Sequence, residues 1–219
     1  MKEKNFISDL HNSSKRDYLE RMVNNKVECM KVARKFDFNF WDGDRKHGYG
    51  GYRYIEGRWE SVAKKLIKDY GLTNKSKILD IGCGKGYLLY DLKKELKELE
   101  IHGFDISDYA IKNSHTEIRK NLFVHDASQK LNFSDNYFDL VISLGTLHNL
   151  EIAQLKCSIQ QIQRLGKNKY IMVESYRNEA ELFNLQCWAL TCKAFYSYDE
   201  WLWLYKEFGY TGDFEFIYF

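Results

Sequence analysis

The sequence predicts an α/β fold: a doubly wound, mostly parallel sheet with an N-terminal helical and aromatic cap. Three observations support this. Short apolar runs at 78–81, 101–105, 121–125, 138–143, 169–174 and 214–219 alternate with stretches of helical periodicity. A glycine-rich turn, Gly82, Gly84 and Gly86, follows the first run directly and opens a helical pattern. No Pro- or Ser-rich linker divides the chain, and 219 residues suit one α/β domain.

Taken in order, residues 15–34 read as one amphipathic helix, with Leu19, Met22, Val23, Val27 and Met30 at helical spacing, after a first dozen residues expected to fray. Residues 36–56 follow neither period yet hold seven aromatics and four glycines, which marks a lid over a ligand or an arm that covers core. Trp59, Val62, Leu66, Ile67 and Tyr70 share a helix face that ends at Gly71. Ile78, Leu79 and Ile81 suit a strand buried on both faces, and Leu88, Leu92, Leu96 and Leu99 mark the helix after the turn. Residues 101–105 form the next strand, and Ser107 caps a helix reaching about residue 117. Short strands at 121–125 and 138–143 precede a helix carrying Ile152, Leu155, Ile159 and Ile162, and a fifth strand covers 169–174. A helix at 178–191 is apolar on several sides. Ser197 and Glu200 form a capping box for the last helix, and 214–219 is the last strand.

Composition narrows the function. The 33 basic and 31 acidic side chains leave a net charge of +2, without the one-sided basic excess of nucleic-acid modules. The five cysteines are odd in number and include no C-x-x-C pair, which argues against a disulfide framework or a metal site. Residues 1–16 lack the apolar core of a signal peptide, and no stretch approaches the ~20 apolar residues of a membrane span. A cytoplasmic protein with a small-molecule substrate, and no nucleic acid or membrane partner, is expected. Oligomeric state is not legible.

The chemistry sits around residues 78–86. Strand, glycine turn and helix are the first half of a nucleotide-binding βαβ unit, where bare backbone lets a ligand approach closely. The dinucleotide fingerprint needs glycine at position 87, where this chain has Tyr87. The glycines fall instead as G-x-G-x-G, preceded by Asp80. Asp105 ends the next strand roughly 20 residues beyond Gly86, the offset of a ribose-binding acid. Asp126 and Ala127 stand one turn further on, and Phe138 to Ser143 form the following strand.

In order and spacing these four pieces resemble the class I S-adenosylmethionine (SAM)-dependent methyltransferases, a Rossmann-like family, over about residues 75–174. The resemblance implies a SAM-binding methyltransferase domain at 58–219, with 1–57 as a cap on the same domain. It implies SAM as cofactor and S-adenosylhomocysteine as product. Asp80, Gly82, Cys83, Gly84 and Gly86 would line the methionine part, Asp105 would hold ribose, and Ile106 would pack on adenine. Asp126 and Ala127 would meet the adenine edge, and Ser143, Leu144 and Gly145 would flank the sulfonium. Two departures stand out. The Asn/Asp-Pro-Pro-Tyr-type motif of many amino-group methyltransferases is replaced by Ser143-Leu144-Gly145-Thr146. The family's antiparallel seventh strand has no counterpart, so the sheet edge is expected to be shortened or covered.

His148, in the loop after the fourth strand, is the candidate general base. Tyr49, Tyr52 and Arg53 of the lid, with Glu174, Tyr176 and Arg177 after the fifth strand, are candidates for substrate binding. The lid and the stretch Val173 to Asn178 are also similar to small bacterial methyltransferases of surface-polysaccharide gene clusters, which implies a sugar, nucleotide-sugar or phosphorylated acceptor. An RNA or protein acceptor and a non-catalytic SAM-fold partner subunit are the open alternatives.

Overall fold

The computed structural model describes every residue from Met1 to Phe219. The apolar runs become β1 (Lys77–Ile81), β2 (Glu100–Asp105), β3 (Leu122–Val124), β4 (Phe138–Leu144), β5 (Gly166–Glu174) and β6 (Asp213–Ile217). The cap supplies α1 (Ser8–Asn12), α2 (Tyr18–Val23), α3 (Lys26–Ala33) and α4 (Phe38–Trp41). The body supplies α5 (Glu60–Tyr70), α6 (Tyr87–Glu95), α7 (Asp108–Lys112), α8 (Ile152–Leu165), α9 (Glu179–Trp188) and α10 (Tyr198–Glu207). No helix is long and apolar enough to cross a membrane.

All neighbouring strands pair in parallel, in the order β3-β2-β1-β4-β5-β6. Successive side chains of a strand point to opposite faces, so each continuous apolar run feeds two cores. Ile78, Leu140, Ile142, Tyr170 and Met172 pack under α5 and α6. Leu79, Val141, Ile171 and Val173 pack under α8 and α10. Each core holds 20 buried residues, so the sheet is covered equally on both sides and the expected doubly wound fold stands. Strand order reverses between β1 and β4. That reversal opens a crevice beyond their carboxyl ends, where such sheets hold ligands.

The sheet ends at its sixth strand and its edge is covered, as expected from the absence of a seventh strand. β6 pairs directly with β5, and its outer side is covered by the start of the chain. The Lys4 N–H donates to the Phe214 carbonyl at 2.8 Å and the Phe214 N–H to the Lys2 carbonyl at 3.1 Å. The expectation that the first dozen residues fray is therefore wrong: an exposed edge offers unpaired donors and acceptors, and residues 2–4 satisfy them. Buried Glu215 then fixes the entry to α1 by accepting the N–H groups of Phe6, Ile7 and Ser8.

The single helix expected over 15–34 is also corrected. It breaks into α2 and α3 at Asn25, whose φ of 50° is a left-handed conformation that asparagine adopts at low cost. Leu19, Val23 and Val27 stay exposed, and the buried side of α3 is Cys29 and Ala33. The helix after Ser107 is shorter than expected, ending at Lys112. The capping box at Ser197 forms as expected.

Candidate functional site

Two adjoining cavities of about 510 and 280 Å³ lie at the carboxyl ends of β1, β2 and β4. They share walls at Trp41, Tyr49, Gly82, Leu144, Gly145 and Asn149. Together they form one bipartite cleft whose upper side is the lid.

The smaller cavity brings together Asp105, Ile106, Asp126 and Ala127, as the sequence predicts. Asp105 is buried, and its carboxylate accepts the Gly84 and Ser107 N–H groups, each at 2.9 Å. Burial holds this carboxyl above its ordinary range, against the opposing pull of those N–H donors. Ile106 keeps an exposed apolar side chain beside it. Asp126 accepts the Ser128 N–H and hydroxyl at 2.8 Å through one oxygen, leaving the other for a ligand.

The larger cavity is lined by Asp80, Gly82, Cys83 and Gly84 on the turn side, by Tyr49, Tyr52 and Arg53 from the lid, and by His148 and Glu174. Two glycines are fixed by contact as well as by φ. A Cβ on Gly82 (φ +79°) would stand 1.9 Å from Thr146 Oγ1, and one on Gly84 (φ +55°) 2.9 Å from the Trp41 ring. The lid closes on this turn. Trp41 Nε1 donates to Ser107 Oγ at 2.9 Å, and the Lys85 ammonium bonds both Asp42 oxygens and the Tyr52 carbonyl at 2.7–2.8 Å. Lys85 of the glycine motif thus holds the lid down instead of facing a ligand.

Asp80 is buried, and its Oδ1 has no hydrogen-bond partner. Burial, with the nearby Asp105 charge second, pushes its carboxyl up to about 8. An orphaned acid beside bare glycine backbone, with the Asp105 carboxylate across the turn, fits a ligand bearing an ammonium and a ribose. That is the donor and acceptor set of SAM. The protein alone therefore holds Asp80 protonated near neutral pH. Its folded pKa exceeds the ordinary ~3.9, so the stability tied to its proton is full below about pH 4 and is lost as pH rises through 8. Asp80→Asn is expected to raise the melting temperature of the cofactor-free protein more at pH 8 than at pH 5. A cationic ligand at Oδ1 favours the carboxylate, so binding at pH 7 should release up to one proton. Calorimetry in buffers of different ionisation enthalpy reads that proton directly, and equal enthalpies in all buffers would contradict the assignment.

Several expected site residues lie elsewhere. Ser143 is fully buried and donates to the Ile81 carbonyl at 3.0 Å, so it ties β4 to β1 beneath the cleft. Gly86 lines neither cavity: a Cβ there would meet Ile118 and Leu122 at 2.8 Å, so it lets α6 pack against its neighbours. Tyr176 lies outside the cleft, where its carbonyl accepts the Tyr198 N–H at 3.3 Å. Arg177 is held by Glu181 and lies over the Tyr218 ring.

His148 reaches the cleft but is not free to act as the base. It is buried, and Nδ1 accepts the Glu174 N–H at 3.3 Å, which places the ring proton on Nε2, 3.4 Å from Glu174 Oε2. Burial holds the imidazole below its ordinary range, partly opposed by Glu174. The lone pair that a base needs is occupied, and the free proton acceptor of the pair is the Glu174 carboxylate. Sequence reasoning missed Trp41, Arg16, Arg21, Arg45 and Trp188, all of which line the larger cavity. Only Trp41 and Arg45 carried a signal, as a ring and a cation of the aromatic lid.

Comparison with known proteins agrees with this fold. A family model described as a methyltransferase domain matches residues 72–209. The mouse protein "Arginine-hydroxylase NDUFAF5, mitochondrial" is 36% identical over 110 residues, covering 50% of this chain and 31% of its own. "Sterol 24-C-methyltransferase erg-4" of Neurospora crassa is 26% identical over 143 residues, covering 58% of this chain and 38% of its own. The chain thus spans between about a third and two fifths of the length of these curated relatives. The crystal structure of a SAM-dependent methyltransferase from Archaeoglobus fulgidus superposes with a TM-score of 0.54 at 24% identity, covering 69% of this chain and 68% of that one.

Proposed function

The chain belongs to the methyltransferase domain family, and from that premise we propose that it moves the methyl group of SAM to a hydroxyl of a small polar acceptor, of the sugar, nucleotide-sugar or phosphorylated-metabolite kind used in surface-polysaccharide synthesis. The observation that carries the cofactor reading is the glycine cradle with the unpartnered Asp80 oxygen on one side and the Asp105 carboxylate on the other. The acceptor reading is supported by the rings of Tyr49 and Tyr52 and the charges of Arg53 and Glu174 around the larger cavity.

When bound, SAM supplies an electrophilic methyl group that needs only an aligned nucleophile and exclusion of water. Asp105 would accept hydrogen bonds from the ribose hydroxyls, and Asp80 as carboxylate would face the ammonium. The lid, latched by Lys85 and Asp42, covers the reacting centre. Glu174 would take the proton of the acceptor hydroxyl as that oxygen receives the methyl group. His148, through Nε2–H, holds that carboxylate in place.

Calorimetry should show binding of SAM and S-adenosylhomocysteine but not NAD, and methyl transfer from labelled SAM should be detected with a panel of sugars, nucleotide-sugars and sugar phosphates. A well-folded protein that binds no SAM sinks the reading. Glu174→Gln should lower kcat by ~10²–10⁴-fold with little change in cofactor affinity, the range for loss of a general base. His148→Gln should cost less and shift the pH–rate profile, since it removes only the group that orients Glu174. Equal activity in all three proteins would assign catalysis to alignment alone.

A further inference from the structure

The larger cavity carries a charge feature that methyl transfer does not use. Three guanidiniums surround one ring on its cap side: the Cζ atoms of Arg16, Arg21 and Arg45 lie 5.6, 4.6 and 5.2 Å from the centroid of Trp188, the last residue of α9. Arg16 follows α1, Arg21 lies in α2, and Arg45 sits in the lid. None of the three has a carboxylate within salt-bridge distance, whereas Arg164 and Arg177 elsewhere are paired with Asp135 and Glu181.

Backbone carbonyls hold these cations in position without neutralising them. Arg16 donates to the His11 and Ser14 carbonyls and to the neutral His11 Nδ1 at 3.1 Å, and Arg21 to the carbonyls of Arg45 at 2.7 Å and Trp188 at 3.4 Å. Arg45 donates to the Gly48 carbonyl. Donors are left over: Arg16 Nε is buried without a partner, and Arg21 keeps a free nitrogen. Burial, with Arg45 repulsion second, pulls the Arg21 guanidinium down to about 10. Each cation–π contact is worth ~0.5–2 kcal/mol, and Arg16 also lies 5.2 Å from the Phe219 ring, but such contacts leave three mutually repelling cations without a counter-charge in contact. Such a cluster is explained as a pre-organised site for an anion, since charge-assisted donors in fixed positions bind anions strongly.

We propose that Arg16, Arg21 and Arg45, gathered around Trp188, bind the phosphate or diphosphate of a phosphorylated acceptor. The inference rests on reading this cavity as the acceptor site and narrows it: of the acceptor classes above, the phosphorylated ones are selected. Three guanidiniums match a group with three or more charged oxygens better than a carboxylate with two. The anion would anchor one end of the acceptor, and the hydroxyl to be methylated would lie toward Glu174, which lines the same cavity.

The test is calorimetric titration of inorganic pyrophosphate into the full chain at low ionic strength, with and without S-adenosylhomocysteine, with acetate and formate as monocarboxylate controls. Pyrophosphate should bind, and acetate and formate should bind at least ~10-fold more weakly. Arg21→Gln and Arg45→Gln should each weaken pyrophosphate by ~10-fold or more while leaving S-adenosylhomocysteine affinity within ~2-fold. Arg21→Lys should restore only part of the loss, because the planar fork is gone. Should Arg21→Gln fail to fold, Arg45→Gln at an accessible position carries the test. Absence of pyrophosphate binding, equal binding by the variants, or carboxylates bound as tightly as pyrophosphate would overturn the proposal. So would a parallel fall in S-adenosylhomocysteine affinity, which would assign the arginines to the cofactor's carboxylate. If S-adenosylhomocysteine does not bind at all but pyrophosphate binding keeps its arginine dependence, the methyl-transfer reading falls and the anion site stands.

Discussion

Asp105→Ala is expected to lower the affinity for S-adenosylhomocysteine by ~100-fold or more. Two ribose hydroxyls would lose a charged acceptor, and hydrogen bonds to charged groups are worth ~1.5–3 kcal/mol each, against ~1.4 kcal/mol per tenfold in affinity. The same change unties the cradle, because Asp105 also accepts the Gly84 and Ser107 N–H groups. Asp105→Asn keeps the shape and one acceptor, so its loss should be smaller, on the order of tenfold. Calorimetry gives both values, and circular dichroism and melting temperature establish that the fold is intact. An Asp105→Ala protein that binds S-adenosylhomocysteine within ~3-fold of the parent would show that ribose is held elsewhere.

The largest effect on stability is expected at Glu215. Its side chain is 1% exposed and pairs with no cation. It accepts the N–H groups of Phe6, Ile7 and Ser8 at 2.6, 3.0 and 2.7 Å, the Ser8 hydroxyl at 2.7 Å and the Tyr170 hydroxyl at 2.5 Å. Glu215→Ala strands these donors in a buried site and opens a cavity, at a cost of ~3–5 kcal/mol. That is a large part of the ~5–15 kcal/mol by which a domain is stable. Residues 1–12 should then be released from the β6 edge, so limited proteolysis should cut near residue 12 while the body survives. Because Arg16 follows this segment, pyrophosphate binding should weaken as well. Urea denaturation measures the loss, and a change below ~1 kcal/mol would mean that the segment is held by its apolar contacts alone.

The sheet and the smaller cavity of the cleft were legible because both depend on short-range spacing. Two-residue alternation around β1, β4 and β5 assigns each side chain to a face, and a strand that ends in bare glycine backbone has few uses other than close approach of a ligand. Asp105, Ile106, Asp126 and Ala127 follow from that frame, since parallel strands in register bring their carboxyl ends to one line. The same rules failed for Ser143 and Gly86. Both lie in the right segment but face the interior, and the direction of one side chain at a strand end or helix start is set by its neighbours in space. They failed again at 15–34, where spacing gave an apolar stripe but Asn25 broke the helix and left Leu19, Val23 and Val27 outside.

The sequence by itself determined the fold class, the glycine turn and the position of Asp105 beside it, because local spacing carries that information. Only the tertiary structure decided how the acceptor end is built. It set Glu174 rather than His148 as the free proton acceptor, because one backbone N–H occupies the imidazole lone pair. It raised the Asp80 carboxyl, because burial is a property of packing. It also gathered Arg16, Arg21 and Arg45 from three cap segments around a tryptophan far along the chain, a convergence that no periodicity encodes. Charges so far apart in sequence meet only when the chain has folded.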